Sequence, residues 1–170
     1  ERKAGKIKRT DRVLISESTG RGGGGGTDGS TSFLPWKSTV SFDELERGMI
    51  IQSGNDAAIA LAEHVAGSEQ AFTDLMNNYA KKIGMNNSHF VNPHGLSAPE
   101  HYSTARDLAL LGRAMIRDFP ETYAYNKIRD YTVNGILQHN RNGLLWKDAS
   151  VDGIKTGHTN AAGYCLLSSA

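Results

Sequence analysis

From Ser41 onward, apolar and polar positions follow a helical period. Ser41-Phe42-Asp43-Glu44 has the form of a capping box, in which Ser41 and Glu44 satisfy each other's backbone donors, and it predicts a short helix to about Gly48. Apolar Met49-Ile50-Ile51 leads into Ser53-Gly54-Asn55, and a second helix is expected from Asp56 to Val65, ending at Gly67. Ser68 is placed to cap a third. Its Phe72, Leu75, Met76, Tyr79, Ala80 and Ile83 recur at helical spacing and read as core, and Gly84 ends it. Residues 85–102, rich in Asn, Pro, Gly and His, carry no period and are expected to be irregular. Ser103 or Thr104 then caps a helix through about Asp118, with Leu108, Leu111, Met115 and Phe119 facing inward and Pro120 as the stop.

After Tyr125 the period changes. Ile128 to Val133 suits a strand, Asn134-Gly135 is a hairpin turn, and Ile136 to Gln138 begins the return. Val151 to Gly157 and Gly163 to Ser169 form a second hairpin joined by residues 158–162. Helices fill residues 41–120 and strands fill 127–170, an α+β arrangement rather than the alternation of a parallel α/β sheet. Residues 20–29, Gly-Arg-Gly-Gly-Gly-Gly-Gly-Thr-Asp-Gly, lose too much backbone entropy on ordering to hold a regular element and are read as a Gly-rich loop, a linker or a sequence anomaly. They are not a phosphate loop, because no Gly-Lys-Ser/Thr closes them.

A chain of 170 residues suits one domain with its own core. The longest small-apolar run, Ala57 to Ala62, falls far short of the roughly 20 residues of a membrane-spanning helix. The first residue is Glu1, so a processed product or a fragment is expected, with no signal peptide visible. Cys165 is the only cysteine, and its apolar setting reads as a buried structural thiol. The six histidines are scattered without cysteine partners, so no metal is expected. Net charge is +1, but residues 1–12 hold six basic side chains and two acids. This arm reads as a solvated helix end and loop; no aromatics interleave with it, and no nucleic-acid partner is expected.

Two short motifs carry candidate chemistry. Ser53-Gly54-Asn55 lies at a helix–helix junction, and Lys155-Thr156-Gly157 lies on a predicted strand 102 positions later. Each triplet alone arises often by chance; their order, separation and setting together are specific. Acyl transfer on a peptide-like substrate needs a proton route to the leaving nitrogen and fixed positive charge near the developing anion. Ser53 can relay that proton. Asn55 can donate and accept at once, holding a substrate carbonyl and orienting a lysine. Lys155 supplies a point charge that attracts a carboxylate. Gly157 faces the same way as Lys155 and leaves an extended substrate room to pair with the strand edge. Thr156 and His158 add donors at the substrate's end. Taken singly, Ser53 reads first as a helix N-cap and Lys155 as a solvated strand lysine, and only their shared context overturns both.

With these motifs in that order, the sequence resembles the low-molecular-mass penicillin-binding proteins, serine-type D-alanyl-D-alanine carboxypeptidases. The likeness extends through Ile51-Gln52-Ser53-Gly54-Asn55-Asp56-Ala57, Pro93-His94-Gly95-Leu96, Tyr102-Ser103-Thr104-Ala105-Arg106-Asp107, Asn140-Arg141-Asn142-Gly143-Leu144-Leu145-Trp146 and Asp152-Gly153-Ile154-Lys155-Thr156-Gly157-His158-Thr159. It is weakest across residues 16–40, where Gly22 to Gly26 replace an ordered segment and Pro35-Trp36-Lys37 departs from the family's order.

The resemblance implies a β-lactamase/transpeptidase-like fold, a helical subdomain beside an antiparallel sheet that is incomplete here. It implies Ser53, Asn55 and Lys155 as catalytic residues, and Lys155, Thr156, Gly157, His158, His94 and Arg141 as substrate-binding ones. Arg141 also reads as a structural partner of a carboxylate, and Arg106 and Asp107 as helix-start electrostatics. The implied reaction removes the terminal D-alanine of peptidoglycan stem peptides through an acyl-enzyme, without metal or organic cofactor. Implied partners are the stem peptide and β-lactam antibiotics as inhibitors. The implied location is the periplasm, peripheral to the bacterial inner membrane, with membrane contact only through a C-terminal anchor expected beyond Ala170. The family's nucleophile and general-base lysine come from a Ser-x-x-Lys motif. No serine here has lysine three residues on, and the motif is expected to precede Glu1.

Two other readings stand beside this one. A β-lactamase of the same fold uses a glutamate to activate its deacylating water, and the corresponding stretch, Ser88 to Leu96, has no acid. An inactive remnant, or a fragment that binds peptidoglycan, agrees with the lack of Ser-x-x-Lys.

Overall fold

A computed structural model describes residues 1–20, 29–133 and 135–170. Most of the expected Gly-rich loop, and the Asn134 half of the expected hairpin turn, lie outside the described residues.

The centre of the molecule is one short helix, α3 (Asn55–Ala66), whose first eight residues are all buried. The alanines at 57, 58, 60 and 62 let neighbours approach closely while Ile59 and Leu61 fill the gaps, so residues 57–62 are apolar on every side. Around it lie β1 (Arg12–Leu14), α1 (Glu17–Gly20), β2 (Thr39–Ser41), α2 (Phe42–Arg47) and α4 (Glu69–Lys82). Ile7, Val13, Ile15, Leu34, Val40, Phe42 and Leu45 form a core with Ala57, Ala60 and Leu61. The capping box at Ser41 is present: Ser41 Oγ accepts from the Glu44 N–H, and Glu44 Oε2 accepts from the Ser41 N–H at 2.9 Å. Ser68 and Thr104 cap α4 and α5 (Ala105–Asp118).

The structure corrects several sequence expectations. The α4 stripe is a flank rather than a core: Ala80 is buried, but Phe72, Leu75 and Met76 are half-buried and Tyr79 is exposed. α3 already fills the centre, so α4 covers it with one narrow edge. Phe119 is likewise exposed, with the Lys3 ammonium 5.7 Å over its ring. The basic arm is not simply solvated. Arg2 Nη1 pairs with Glu46 at 2.9 Å, and the Arg9 guanidinium lies 5.1 Å from the Tyr125 ring, sewing the arm to α2 and to the segment after α5. Burial raises the Glu46 pKa above its ordinary value in spite of these cations.

After α5 the chain passes through α6 (Pro120–Tyr123) and the 3₁₀ turn Ala124–Lys127 into β3 (Asp130–Val133) and β4 (Ile136–His139). A second 3₁₀ turn, Gly143–Trp146, precedes β5 (Gly153–Thr159) and β6 (Gly163–Ser169). Strands do lie after the helices, but among the described residues they form three separate two-stranded antiparallel ladders: β1–β2, β3–β4 and β5–β6. The β1–β2 ladder had no signal, because three residues per strand are too few to show a period. β5 begins at Gly153 and runs through His158 and Thr159, which pair with Tyr164 and Gly163. The expected joining segment is thus partly strand.

Ile154 and Leu167 pack on α5 at Gly112, where a Cβ would sit 2.9 Å from Ile154 Cδ1 and 3.5 Å from Leu167 Cδ2. The rest of β6 lacks such cover: Tyr164 is 92% exposed, and Leu166 and Cys165 are exposed too. Cys165 is therefore not the buried thiol its neighbours suggested. An apolar run marks burial only where something packs against it.

Candidate active site

Gly48–Gln52 forms a π-helical turn that runs straight on from α2, and Ser53 closes it in the left-handed conformation, with φ 65°. A non-glycine residue there costs roughly 1–2 kcal/mol and is held by its surroundings. Gly54, not Ser53, is the N-cap of α3. The helix-cap reading of Ser53 therefore fails, and its side chain is turned elsewhere. Its Oγ accepts a hydrogen bond from Lys155 Nζ at 2.8 Å, across 102 residues of chain.

Lys155 reaches this point from β5, and its ammonium also donates to the Thr156 carbonyl at 2.8 Å. Burial, assisted by the nearby Arg141 guanidinium, pulls its pKa down to about 8. A lysine that gives up a proton this readily is suited to passing one on.

Asn55 is buried at the first position of α3, and its N–H donates to the Ser30 carbonyl at 2.8 Å. Its amide nitrogen lies against Gly29, where a Cβ would come within 2.2 Å. Arg141 donates from Nε to the Gln52 carbonyl at 3.0 Å, which places it beside Ser53. Gly157 is exposed on β5 opposite Cys165, open to an extended ligand. Thr156 takes part in the lysine network through its carbonyl. His158 stacks on Tyr164 with ring centroids 4.3 Å apart. His94 faces a different neighbour. Its Nε2 lies 4.0 Å from Glu69 on α4, and burial followed by the charge of His101 lowers its pKa. The structure thus brings Ser53, Lys155 and Arg141 together, sets the Asn55 amide against Gly29, and turns His94 toward α4.

One residue beneath the site was not singled out from the sequence. Asp56 is 2% exposed and accepts from the Thr31 hydroxyl (2.8 Å), the Ser32 N–H (2.8 Å), the Leu34 N–H (3.2 Å) and the Ala57 N–H (2.9 Å). It pins segment 30–34 beneath the Ser53 junction. The available signal was an acid directly after Ser-Gly-Asn, at a helix start where backbone N–H groups are free. Asp107 plays a similar part at α5, accepting from the Asn87 N–H and the Ser88 hydroxyl.

Gly54 belongs to the same packing. A Cβ there would fall 1.9 Å from Ser32 Oγ and 2.7 Å from Asp56 Oδ1. Gly54→Ala is therefore expected to destabilise the fold by about 1–3 kcal/mol through overpacking. Urea denaturation checks this, and a stability equal to wild type would show that Ser32 can move aside.

Helices beside antiparallel ladders, with Ser-Gly-Asn at a helix junction meeting Lys-Thr-Gly on a strand, define the penicillin-binding proteins of transpeptidase fold. Residues 1–170 match the D-alanyl-D-alanine carboxypeptidase family, and the chain belongs to it. D-alanyl-D-alanine carboxypeptidase DacC of Escherichia coli is 52% identical over 170 residues, covering 99% of this chain and 42% of the relative. DacF of Bacillus subtilis is 39% identical over 171 residues, again 42% of its length. The crystal structure of penicillin binding protein 5 from Haemophilus influenzae superposes with a TM-score of 0.92 at 49% identity, over 98% of this chain and 48% of that one. The chain thus spans less than half the length of these relatives.

Proposed function

We propose that this chain carries the proton-relay and carboxylate-binding side of a serine-type D-alanyl-D-alanine carboxypeptidase site, acting on the terminal D-alanine of peptidoglycan stem peptides. The observation that carries the reading is the Lys155–Ser53 hydrogen bond at 2.8 Å, made by a lysine whose pKa lies near 8. In acylation a serine oxygen bonds to the penultimate carbonyl carbon and releases its hydroxyl proton to solvent, and the carbon–nitrogen bond to the last D-alanine breaks. The leaving nitrogen needs a proton. Ser53 gives its hydroxyl proton and takes one from Lys155, and solvent restores the lysine. Water then cleaves the ester, freeing the shortened peptide. No serine among the 170 residues has lysine three positions on, so the acylating serine of this scheme is assigned to none of them. Before the bond breaks, the charge of Lys155 attracts the substrate's terminal carboxylate, while Gly157 lets the peptide backbone lie along β5.

A peptidoglycan substrate puts the working enzyme in the periplasm, which subcellular fractionation would check. β-Lactams, which mimic the scissile dipeptide, are the expected inhibitors. The protein expressed from its complete gene is expected to form a stoichiometric adduct with a fluorescent penicillin, to release D-alanine from a stem peptide, and to turn over nitrocefin poorly. A polypeptide of only these 170 residues is expected to form no adduct, because it lacks a Ser-x-x-Lys. An intact gene product that never labels would refute the proposal, and rapid nitrocefin turnover would favour the β-lactamase reading.

A further inference from the structure

Both halves of the Ser53–Lys155 pair are held by one short stretch of chain, Asn140–Asn142, which follows β4. Its base is anchored first. Asn140 Nδ2 donates to the Asn126 and Ile128 carbonyls, each at 3.0 Å, and the Asn140 N–H donates to the Arg129 carbonyl at 2.7 Å. Asn140 Oδ1 accepts from the Asn142 N–H at 2.9 Å, fixing the next turn of chain. From this base two arms extend. Arg141 Nε reaches the Gln52 carbonyl at 3.0 Å, the peptide group adjoining Ser53. Asn142 Nδ2 reaches the Gly153 carbonyl at 3.0 Å, two residues before Lys155.

Asn142 is 2% exposed and uses both ends of its amide, since Oδ1 accepts from the Leu144 N–H at 3.2 Å. The opening of β5 is gripped from its other side as well. A Cβ on Gly153 would meet the Tyr123 hydroxyl oxygen at 2.9 Å, and that hydroxyl donates to Asp152 Oδ1 at 2.8 Å. A strand advances about 3.3 Å per residue, so a slip of a fraction of one residue would separate Nζ from Oγ.

We propose that Asn142 is a positioning residue for the proton relay: it sets the register of β5 against the Ser53 junction, so that the Lys155 ammonium meets Ser53 Oγ at hydrogen-bond distance. This rests on the function proposed above for the pair. The low proton affinity of Lys155 depends on the same placement, because it comes from burial first and Arg141 second, and both act only while β5 stays seated. Asn142 shares the Gly153 carbonyl with the Ser168 hydroxyl, which donates at 3.2 Å, so its loss loosens β5 at this point, lets the ammonium regain water and raises its pKa.

The test uses the protein expressed from its complete gene, with Asn142→Ala and Asn142→Ser. Serine can still accept from the Leu144 N–H but cannot reach Gly153, so it keeps the turn while giving up the arm. Lys155 is titrated by carbon-13 NMR of labelled lysine, with its signal assigned by its loss in Lys155→Met. Both variants are expected to raise the Lys155 midpoint by about one unit. They are also expected to slow penicillin acylation about 10²-fold, the order of loss that a misplacement near 1 Å brings, with non-covalent affinity nearly unchanged. In a Lys155→Met background, Asn142→Ser is expected to add no further kinetic loss. Variants that melt earlier but titrate Lys155 as wild type does would overturn the proposal, leaving Asn142 a purely structural residue. The titration requires no activity. A wild-type protein that fails to acylate would therefore count against the proposed function, while the NMR midpoint still decides the role of Asn142.

Discussion

Lys155→Met is expected to slow acylation about 10²–10³-fold and yet leave the fold more stable at neutral pH. Methionine fills nearly the same space but carries neither the proton nor the charge. Removing a preorganised donor of this kind slows an acyl-transfer enzyme about 10²–10³-fold. Ser53→Ala, which interrupts the same relay one atom further on, is expected to cut turnover by about 10²–10⁴-fold while changing substrate affinity less. The stability gain follows from the lowered pKa. Burial holds Lys155 near 8 against an ordinary 10.5, so the folded state binds its proton more weakly than the unfolded chain does. The penalty is full below about pH 8 and fades as pH rises toward 10.5, where the unfolded chain loses the proton too. The advantage of Lys155→Met should be on the order of 1–2 kcal/mol at pH 7 and should shrink across that window. Chemical denaturation at pH 7 and pH 10 measures it. A variant less stable than wild type at pH 7 would mean that the hydrogen bonds of the ammonium outweigh its desolvation.

Asp56→Ala is expected to be the costliest substitution for stability, at about 3–5 kcal/mol. The Ser32, Leu34 and Ala57 N–H groups all converge on its carboxylate, and leaving a buried donor unpaired costs about 1–3 kcal/mol. Segment 30–34 would lose its tether to α3, and the Ser53 junction above it would lose its floor. Asp56→Asn keeps one acceptor oxygen and should fall between wild type and alanine. Urea midpoints for the three proteins give the ranking, with an unchanged m-value as the sign that the native state alone was altered. A loss below about 1 kcal/mol for alanine would show that water takes over these donors.

Several elements were legible from local patterns because their causes are local. Ser41, Ser68 and Thr104 cap helices in the structure just where a hydroxyl stands before an apolar-periodic run. The β5–β6 hairpin follows its β-branched and aromatic residues and the tight turn before Gly163. Other elements were not legible. The π turn at Gly48–Gln52 looks in sequence like a helix running into a junction, and its extra residue per turn leaves no compositional mark. Solvent exposure is not written in the local pattern. The apolar spacing of α4 and the apolar run around Cys165 both suggest burial, yet neither states what packs against it.

The sequence by itself determined the α+β class, most helix boundaries and the pairing of Ser53-Gly54-Asn55 with Lys155-Thr156-Gly157, because capping chemistry, periodicity and motif order are written in neighbouring residues. Only the tertiary structure decided how that pair is built. It turned Ser53 away from a helix-cap role, brought Lys155 Nζ to its Oγ at 2.8 Å, directed His94 to Glu69, and set Asp56 and Asn142 beneath the site as tethers. Those outcomes depend on contacts between residues far apart in the chain. Such contacts hold only when burial has removed water and left each buried donor no partner but the acceptor that the fold supplies.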